Sequence, residues 1–403
     1  MTTYNFDKIT NRKGTNCLKY DFAVERGKPA DVLPLWVADM DFPVSEEITK
    51  SLHAAVEHGI YGYTQPKDAY YNAVMNWMER NHNWKTEREW IVKTPGVVFA
   101  LGAAVKAFTD PGDAILIQNP VYYPFTNIIR DNDRRVVDNT LIYEKTTGQS
   151  GANGYRIDFE DFERKLEQEH VKLFILCNPH NPVGRVWTVE ELQKLGEICL
   201  RHHVIVVSDE IHNDFVYPGY EHTVFANVDP RFSEFTVTCT APSKTFNLAG
   251  LQISNIFIPN ENLRKAFKTE IDRTGYDEPN ALGVVACEAA YRAGEDWLEQ
   301  LRAYLLKNLN FLRDFLQEKI PQIHLVEPEG TYLVWLDCSE LGITGKELDQ
   351  FIVDKAGLWL DGGSMFGPSG AAFQRVNIAC PQATLELALN KLKAAVEGYG
   401  NHL

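Results

Sequence analysis

No stretch of this chain approaches the roughly 18 consecutive apolar residues of a membrane span. Excess positive charge is missing too: 40 Lys and Arg stand against 55 Asp and Glu, a formal net charge of −15. Nucleic acid and anionic membrane surfaces need clustered Lys and Arg, so neither is an expected partner. The opening MTTYNFDKITNRKG lacks the apolar core of a signal peptide. The seven cysteines are odd in number and scattered, with no CxxC and no disulfide framework, which suits a reducing cytoplasm. There is no repeat, no low-complexity linker, no Gly-Lys-Ser/Thr phosphate loop, and no GxGxxG between a strand and a helix.

What is present is globular. Apolar residues make up 44% and charged residues 24% of 403 residues, too long a chain for one ordinary core, so a large domain with a smaller one is expected. The apolar runs DAILIQ (113–118), KLFILC (172–177), VIVVS (204–208), FTVTCT (235–240) and SNIFIP (254–259) are short and rich in β-branched residues. Such runs suit strands buried on both faces of a parallel sheet. Helical patterns lie between them. TVEELQKLGEICLRHH opens on Thr188 with Glu191 at capping-box spacing. PKDAYYNAVMNWMERN puts Tyr70, Ala73, Val74 and Trp77 on one stripe. The alternation predicts an α/β fold with a large, doubly wound sheet.

After about residue 290 the texture changes. A long amphipathic helix (296–320) carries Leu298, Leu301, Leu305, Leu309, Leu312 and Leu316 on one side. Strand-like runs at 331–337 and 375–379 follow, with helices near 345–356 and 383–397, which predicts a smaller α+β domain.

Several short motifs sit where strands end. Asp209 closes VIVVSDEIHND, and in open α/β sheets ligands bind at the carboxyl ends of strands. Asn178, Pro179, Asn181, Pro182 and Gly184 make a turn-rich loop after another strand. Pro95 and Gly96 precede a helical run, and a helix start offers free backbone amides that suit a phosphate. Tyr122 or Tyr123 in NPVYYPF could stack on a planar ring. Lys244 stands alone in TAPSKTFNLAGLQ, and Arg375 heads a strand in the second domain, where its fork could grip a carboxylate. Each has a bland reading by itself: a helix cap, a strand exit, a core aromatic, a surface ion pair. In this order they describe one pocket for a planar, anionic, nitrogen-bearing cofactor.

The chain resembles fold-type I pyridoxal 5'-phosphate (PLP) enzymes of the aminotransferase superfamily, most of all the MalY/PatB cystathionine β-lyase family. The likeness rests on LPLWVADMDFP (33–43), HGIYGYT (58–64), TPGVVFAL, CNPHNPVGR, SDEIHNDF, TAPSKTFNLAGLQ and RVNIACP, and spans nearly the whole chain. It implies a mixed, mostly parallel large domain over 46–288 and a smaller domain from 1–45 with 289–403. It implies that Lys244 matches the Schiff-base lysine and that Asp209, 35 residues earlier (244 − 209), matches the acid on the pyridine nitrogen. Tyr122 matches the stacking aromatic, with a catalytic role. Gly96, Val97, Val98 and Ser243 match phosphate contacts. Asn181, and more weakly Asn178, match the partner of the 3-oxygen, and His212 stands where many relatives have a tyrosine. Tyr63 matches a tyrosine reaching the neighbouring subunit's site, so a homodimer follows. Arg375 matches the arginine that holds the substrate carboxylate, with Tyr63 and Asp39 beside the substrate.

Besides His212, two more positions depart from the aminotransferase pattern. Ala241 replaces a common phosphate-binding serine, and Gln252 replaces a common phosphate-binding arginine. The expected activity is cleavage of cystathionine or another S-substituted L-cysteine to a thiol, pyruvate and ammonia. An aminotransferase using the same lysine, acid and arginine is the alternative. A zinc hydrolase built from His202, His203, His212 and Asp214 is disfavoured, since adjacent histidines across a strand lack the i, i+4 pairing of a helical zinc site, and no metal is expected. A PLP-binding regulator would need a DNA-binding segment that the acidic chain does not carry.

Overall fold

The computed structural model describes residues 2–145 and 154–400. Its larger sheet has seven strands: β1 (Ile91–Thr94), β2 (Ala114–Ile117), β3 (Arg135–Asp138), β4 (Leu173–Cys177), β5 (Ile205–Asp209), β6 (Thr236–Thr240) and β7 (Ser254–Phe257). Their spatial order is β1-β7-β6-β5-β4-β2-β3. The five strands from β6 to β3 run parallel, while β7 is antiparallel to both neighbours. Composition grouped Ser254–Phe257 with the parallel strands. A continuous apolar run reports burial on both faces and says nothing of direction.

Alternate residues along each strand enter different cores. Leu116, Phe174, Leu176 and Val206 pack in one cluster with Leu192, Leu195 and Cys199 of the helix Val189–His202. Ile115, Ile117, Leu173, Ile175 and Val207 pack in another with the helix Val97–Phe108. The helix Val189–His202 is capped by Thr188 and Glu191 in a reciprocal capping box, as their spacing predicts.

The second sheet has four antiparallel strands: β8 (His324–Val326), β9 (Leu333–Asp337), β10 (Asp361–Gly362) and β11 (Phe373–Asn377), in the order β8-β9-β11-β10. It packs with the helix Glu295–Lys319, whose six predicted leucines are all buried. Strand β11 begins two residues before the predicted run, at Phe373. Strands β1 and β3 had no clear sequence signal. Each is four residues long, lies at a sheet edge, and carries charged or half-exposed side chains.

The N-terminal chain joins the two sheets. Leu33–Pro34 pairs with Leu358–Trp359, and the next residues are tied by side chains from both sides. Asn377 donates to the carbonyls of Val37 and Asp39, both at 2.6 Å, and Asn247 donates to those of Met40 and Phe42, both at 3.0 Å. Residues 36–42 thus form a strap along the boundary between the sheets.

One packing contact tests the core. A Cβ at Gly196 would come within 2.0 Å of the Phe232 ring. Gly196→Ala is expected to destabilise the protein by about 1–3 kcal/mol through overpacking. The thermal unfolding midpoint checks this; an unchanged midpoint would mean the ring can step aside.

Candidate active site

The carboxyl ends of β1, β4, β5 and β6 lie on the same edge of the large sheet. Cys177 pairs with Asp209, Asp209 with Cys239, Asn255 with Thr240 and Ser254 with Thr94. The loops leaving this edge line a pocket of about 180 Å³ whose wall includes Gly96, Val97, Val98, Tyr122, Asn181, Asp209, His212, Ser243 and Lys244. These side chains come from residues 96 to 244, brought together because parallel strands discharge their loops at one edge.

Lys244 sits in the single helical turn Pro242–Thr245 after β6. It is half-buried, and its Nζ donates to the carbonyl of Ala38 at 2.8 Å. The buried Tyr332 hydroxyl donates to the same carbonyl at 3.0 Å. Burial, with the nearby Arg375 charge, lowers the Lys244 amine to about 8, while Asp39 and Asp209 oppose the shift. Asp209 is buried at the end of β5 and accepts from the Ile211 amide at 3.2 Å. Burial raises its carboxyl to about 7, against the pull of the Ile211 amide and the Lys244 charge. Burial thus favours the neutral form of each group, although near pH 7 the amine is still mostly charged.

The helix Val97–Phe108 starts at the pocket wall. Its N-cap is Gly96, which offers no side chain to the first-turn amides. These N–H groups and the Ser243 hydroxyl make a seat for an anion. His212 is buried, with its Nδ1 lacking a partner. Burial, then the Lys244 and Arg375 charges, hold its imidazole neutral. Burial also raises the Tyr122 hydroxyl well above its ordinary value, so it remains a donor.

Arg375, on β11, is buried and held on several sides. It donates to Asn181 Oδ1 at 3.1 Å, to the Trp36 carbonyl at 2.9 Å and to the Asp361 carboxylate, with Phe366 under its guanidinium at 4.9 Å. Its Nε has no partner among the described residues.

Some expected residues lie elsewhere. Asn178 does not line the pocket; its amide donates to the Thr223 carbonyl at 3.0 Å. Asp39 presents no free carboxylate, since both oxygens are engaged by Arg12, at 2.6 and 3.0 Å, and Lys19 lies 3.9 Å away. Tyr63 is 95% exposed and touches no wall of this pocket. Ala241 is buried off the wall, and Gln252 is exposed. His202 pairs with Glu163 at 3.4 Å, and among the described residues no group of His, Cys, Asp or Glu is placed to hold a metal ion.

Sequence reasoning missed the Ala38 carbonyl, Cys177, Ile211 and Ile253 on the wall, and Tyr332 behind Lys244. A main-chain acceptor has no residue signature. Cys177, Ile253 and Tyr332 sit in or beside apolar runs whose core and pocket members look alike, and Ile211 stands alone among polar residues in SDEIHND.

The raised carboxyl of Asp209 has a consequence for stability. Between the ordinary aspartate value of about 3.9 and its folded value of about 7, the folded chain binds more protons than the unfolded chain. Stability therefore falls as pH rises through that window and levels off above it. In cofactor-free protein, Asp209→Asn is expected to stabilise by an amount that grows from near zero at about pH 4 to at most about 4 kcal/mol above pH 7. Urea unfolding of both proteins across this range checks it. An equal gap at both ends would mean that Asp209 is ionised throughout.

The sequence and fold match known proteins over almost the full chain. The family model for aminotransferase class I and II matches residues 30–392. Cystathionine beta-lyase PatB of Bacillus subtilis is 47% identical over 392 residues, covering 97% of this chain and 100% of that protein. Protein MalY of Escherichia coli is 31% identical over 395 residues, covering 98% and 99%. Among solved structures, cystalysin from Treponema denticola, which contains pyridoxal 5'-phosphate, superimposes with a TM-score of 0.93 at 37% identity, covering 98% of this chain and 100% of that one. The PLP-bound C-S lyase of Staphylococcus hominis gives 0.89 at 36% identity, covering 98% of each. The chain therefore belongs to the aminotransferase class I and II family, within its MalY/PatB-like group of fold-type I PLP-dependent enzymes.

Proposed function

We propose that the pocket holds PLP and that the protein is a carbon–sulfur β-lyase, cleaving cystathionine or a related S-substituted L-cysteine to a thiol, pyruvate and ammonia. One observation carries the reading: a half-buried amine and a buried carboxylate share one pocket with an uncapped helix start. The names of the cystathionine beta-lyase and C-S lyases it resembles point the same way.

The residues fit the cofactor. The first-turn amides at Val97 and Val98 and the Ser243 hydroxyl suit its phosphate. Asp209 suits the pyridine nitrogen, because a cation there would offset the burial that keeps its carboxyl protonated. Tyr122 supplies a ring wall with a protonated hydroxyl, and Asn181 an amide beside the 3-oxygen.

When bound, the cofactor supplies an electron sink for the pair left on the substrate α-carbon. Lys244 takes the α-proton. Its amine, lowered to about 8, is neutral in a useful fraction of molecules near neutral pH. Asp209 holds the proton on the ring nitrogen. Arg375 binds the substrate carboxylate with donors already oriented by Asn181, Trp36 and Asp361. Ile211, Ile253 and Val97 supply apolar wall that limits water around the exchange. As the C–S bond breaks, the thiolate would depart with its electron pair and take up a proton to become the thiol, and water would hydrolyse the three-carbon remainder to pyruvate and ammonia.

We further read 46–288 as the large domain and 1–45 with 289–403 as the small one. A homodimer is supported by Ile60, Tyr61 and Tyr63, which are 74%, 60% and 95% exposed in one chain. A second copy would cover this stretch and receive Tyr63 at its own pocket. The cytoplasm suits seven free cysteines.

With L-cystathionine and no keto acid, purified PLP-loaded protein should release pyruvate steadily, and Lys244→Ala should lose at least about a thousandfold of that rate. A strict need for 2-oxoglutarate would make the enzyme a transaminase instead. Light scattering should give twice the mass of one chain, and Tyr63→Ala should weaken PLP retention. A fully active monomer would refute the dimer.

A further inference from the structure

The carbonyl of Ala38 takes two bonds, and only one comes from the lysine. Lys244 Nζ donates to it at 2.8 Å and the Tyr332 hydroxyl at 3.0 Å. The carbonyls on either side, of Val37 and Asp39, go to the Asn377 side chain instead. The Ala38 carbonyl is thus fixed in place, and each of its two lone pairs has a donor.

Tyr332 is aimed at this point by an unusual backbone. It is fully buried, with its ring edge-on to Phe215 at 4.9 Å and to His212 at 5.9 Å. Thr331 before it has a φ of 69°, a left-handed conformation that a β-branched residue rarely adopts. Bonds around Thr331 hold it there. Its amide donates to the Phe215 carbonyl at 2.8 Å, and its hydroxyl donates to the Leu333 carbonyl at 3.0 Å and accepts from the Leu333 amide at 3.1 Å. Strain of this kind collects where a side chain must be placed for function. Burial, with the Asp39 charge, raises the Tyr332 hydroxyl far above its ordinary value against the pull of Arg375, so it keeps its proton.

We propose that Tyr332 is a positioning residue for Lys244. Its hydroxyl keeps the Ala38 carbonyl weak enough as an acceptor for the amine to leave, and occupied once the amine has left. Hydrogen bonds that share an atom polarise one another, and a donor already on the oxygen loosens its hold on the ammonium. A carbonyl abandoned by its only donor in a site short of water would oppose the move. The part in turnover rests on the lyase reading above, in which Lys244 takes the α-proton. The effect on the resting amine does not.

The charges facing the amine are Asp39 on the strap, Asp209 on β5 and Arg375 on β11, with the neutral His212 beside them, and Tyr332 faces Asp39 and Arg375. Tyr332→Phe removes none of these and keeps the ring, so it reads the hydroxyl alone. In cofactor-free protein, acetylation of Lys244 by acetic anhydride, followed across pH by peptide mass spectrometry, should have its midpoint at about 8. The midpoint should move up by about 0.5 to 1 pH unit in Tyr332→Phe, and down in Tyr332→3-fluorotyrosine, whose phenol is a stronger donor. In the PLP-loaded enzyme, the acid limb of kcat for L-cystathionine should move up with it in Tyr332→Phe, a loss of about three- to tenfold at pH 7. Midpoints that stay put, or move the other way, would overturn the proposal whether or not the protein is a lyase. A moved midpoint with an unmoved limb would overturn the part in turnover, while pyruvate release leaves the lyase reading standing. No pyruvate from the unmodified enzyme would overturn the lyase reading and the part in turnover with it, and the labelling would still decide the effect on the resting amine.

Discussion

The site depends on keeping the Lys244 amine short of water while leaving it free to move. In water an ammonium is stable and inert, with a pKa of roughly 10.4. Here burial lowers it to about 8, and the acceptor it rests on is a main-chain carbonyl, that of Ala38, which bears no formal charge to stabilise the ammonium. A carboxylate at that point would have pushed the amine back toward its charged form. The Tyr332 hydroxyl shares the same carbonyl, so the resting place is defined on two sides.

Much of the surrounding structure serves to hold that carbonyl. The strap at residues 36–42 has almost no regular structure, yet Arg375, Asn377 and Asn247 tie its carbonyls. Its two aspartates are neutralised by Arg12 and Lys19 from outside the strap. Asp41 takes bonds from Arg12 at 2.7 Å, the fully buried Lys19 at 3.0 Å and Tyr20 at 2.9 Å. Behind Lys244, the buried Asp214 accepts from Thr245 at 2.6 Å and from Trp77 at 3.1 Å, and meets His82 at 3.1 Å. Burial would raise its carboxyl, but these partners and Arg302 prevail and hold it low. Asp214 is thus a structural anion that fixes the turn carrying the lysine, and Asp209 a chemical one that stays near neutral. The two differ in partners, not in depth.

This arrangement costs stability. Burial disfavours the charged forms of Asp209, Lys244 and His212, and among the described residues Trp36 Nε1 and Arg375 Nε have no partner. Functional pockets accept such penalties because a ligand with the complementary charges and acceptors relieves them on binding. The large sheet, with both faces packed, and the helix Glu295–Lys319 supply the burial that offsets them.

The sequence by itself determined the fold class, four of the five parallel strands, the capped helix at Thr188 and the long leucine-faced helix, because period and capping are local properties. It also marked Lys244, Asp209, Asn181, Tyr122 and the helix start at Gly96, which stand at strand exits with recognisable neighbours. The family resemblance already ranked Asn181 above Asn178, and the tertiary structure sets Asn181 on the pocket wall while Asn178, three residues earlier, turns to the Thr223 carbonyl. Tertiary structure alone matched Asp39 with Arg12, 27 residues away, and so withdrew a carboxylate from the pocket. It alone set the Ala38 carbonyl under Lys244 across a separation of 206 residues. Side-chain chemistry can be read from one residue and its neighbours, but the pairing of groups far apart in the chain is fixed only when the sheets pack and the strap closes between them.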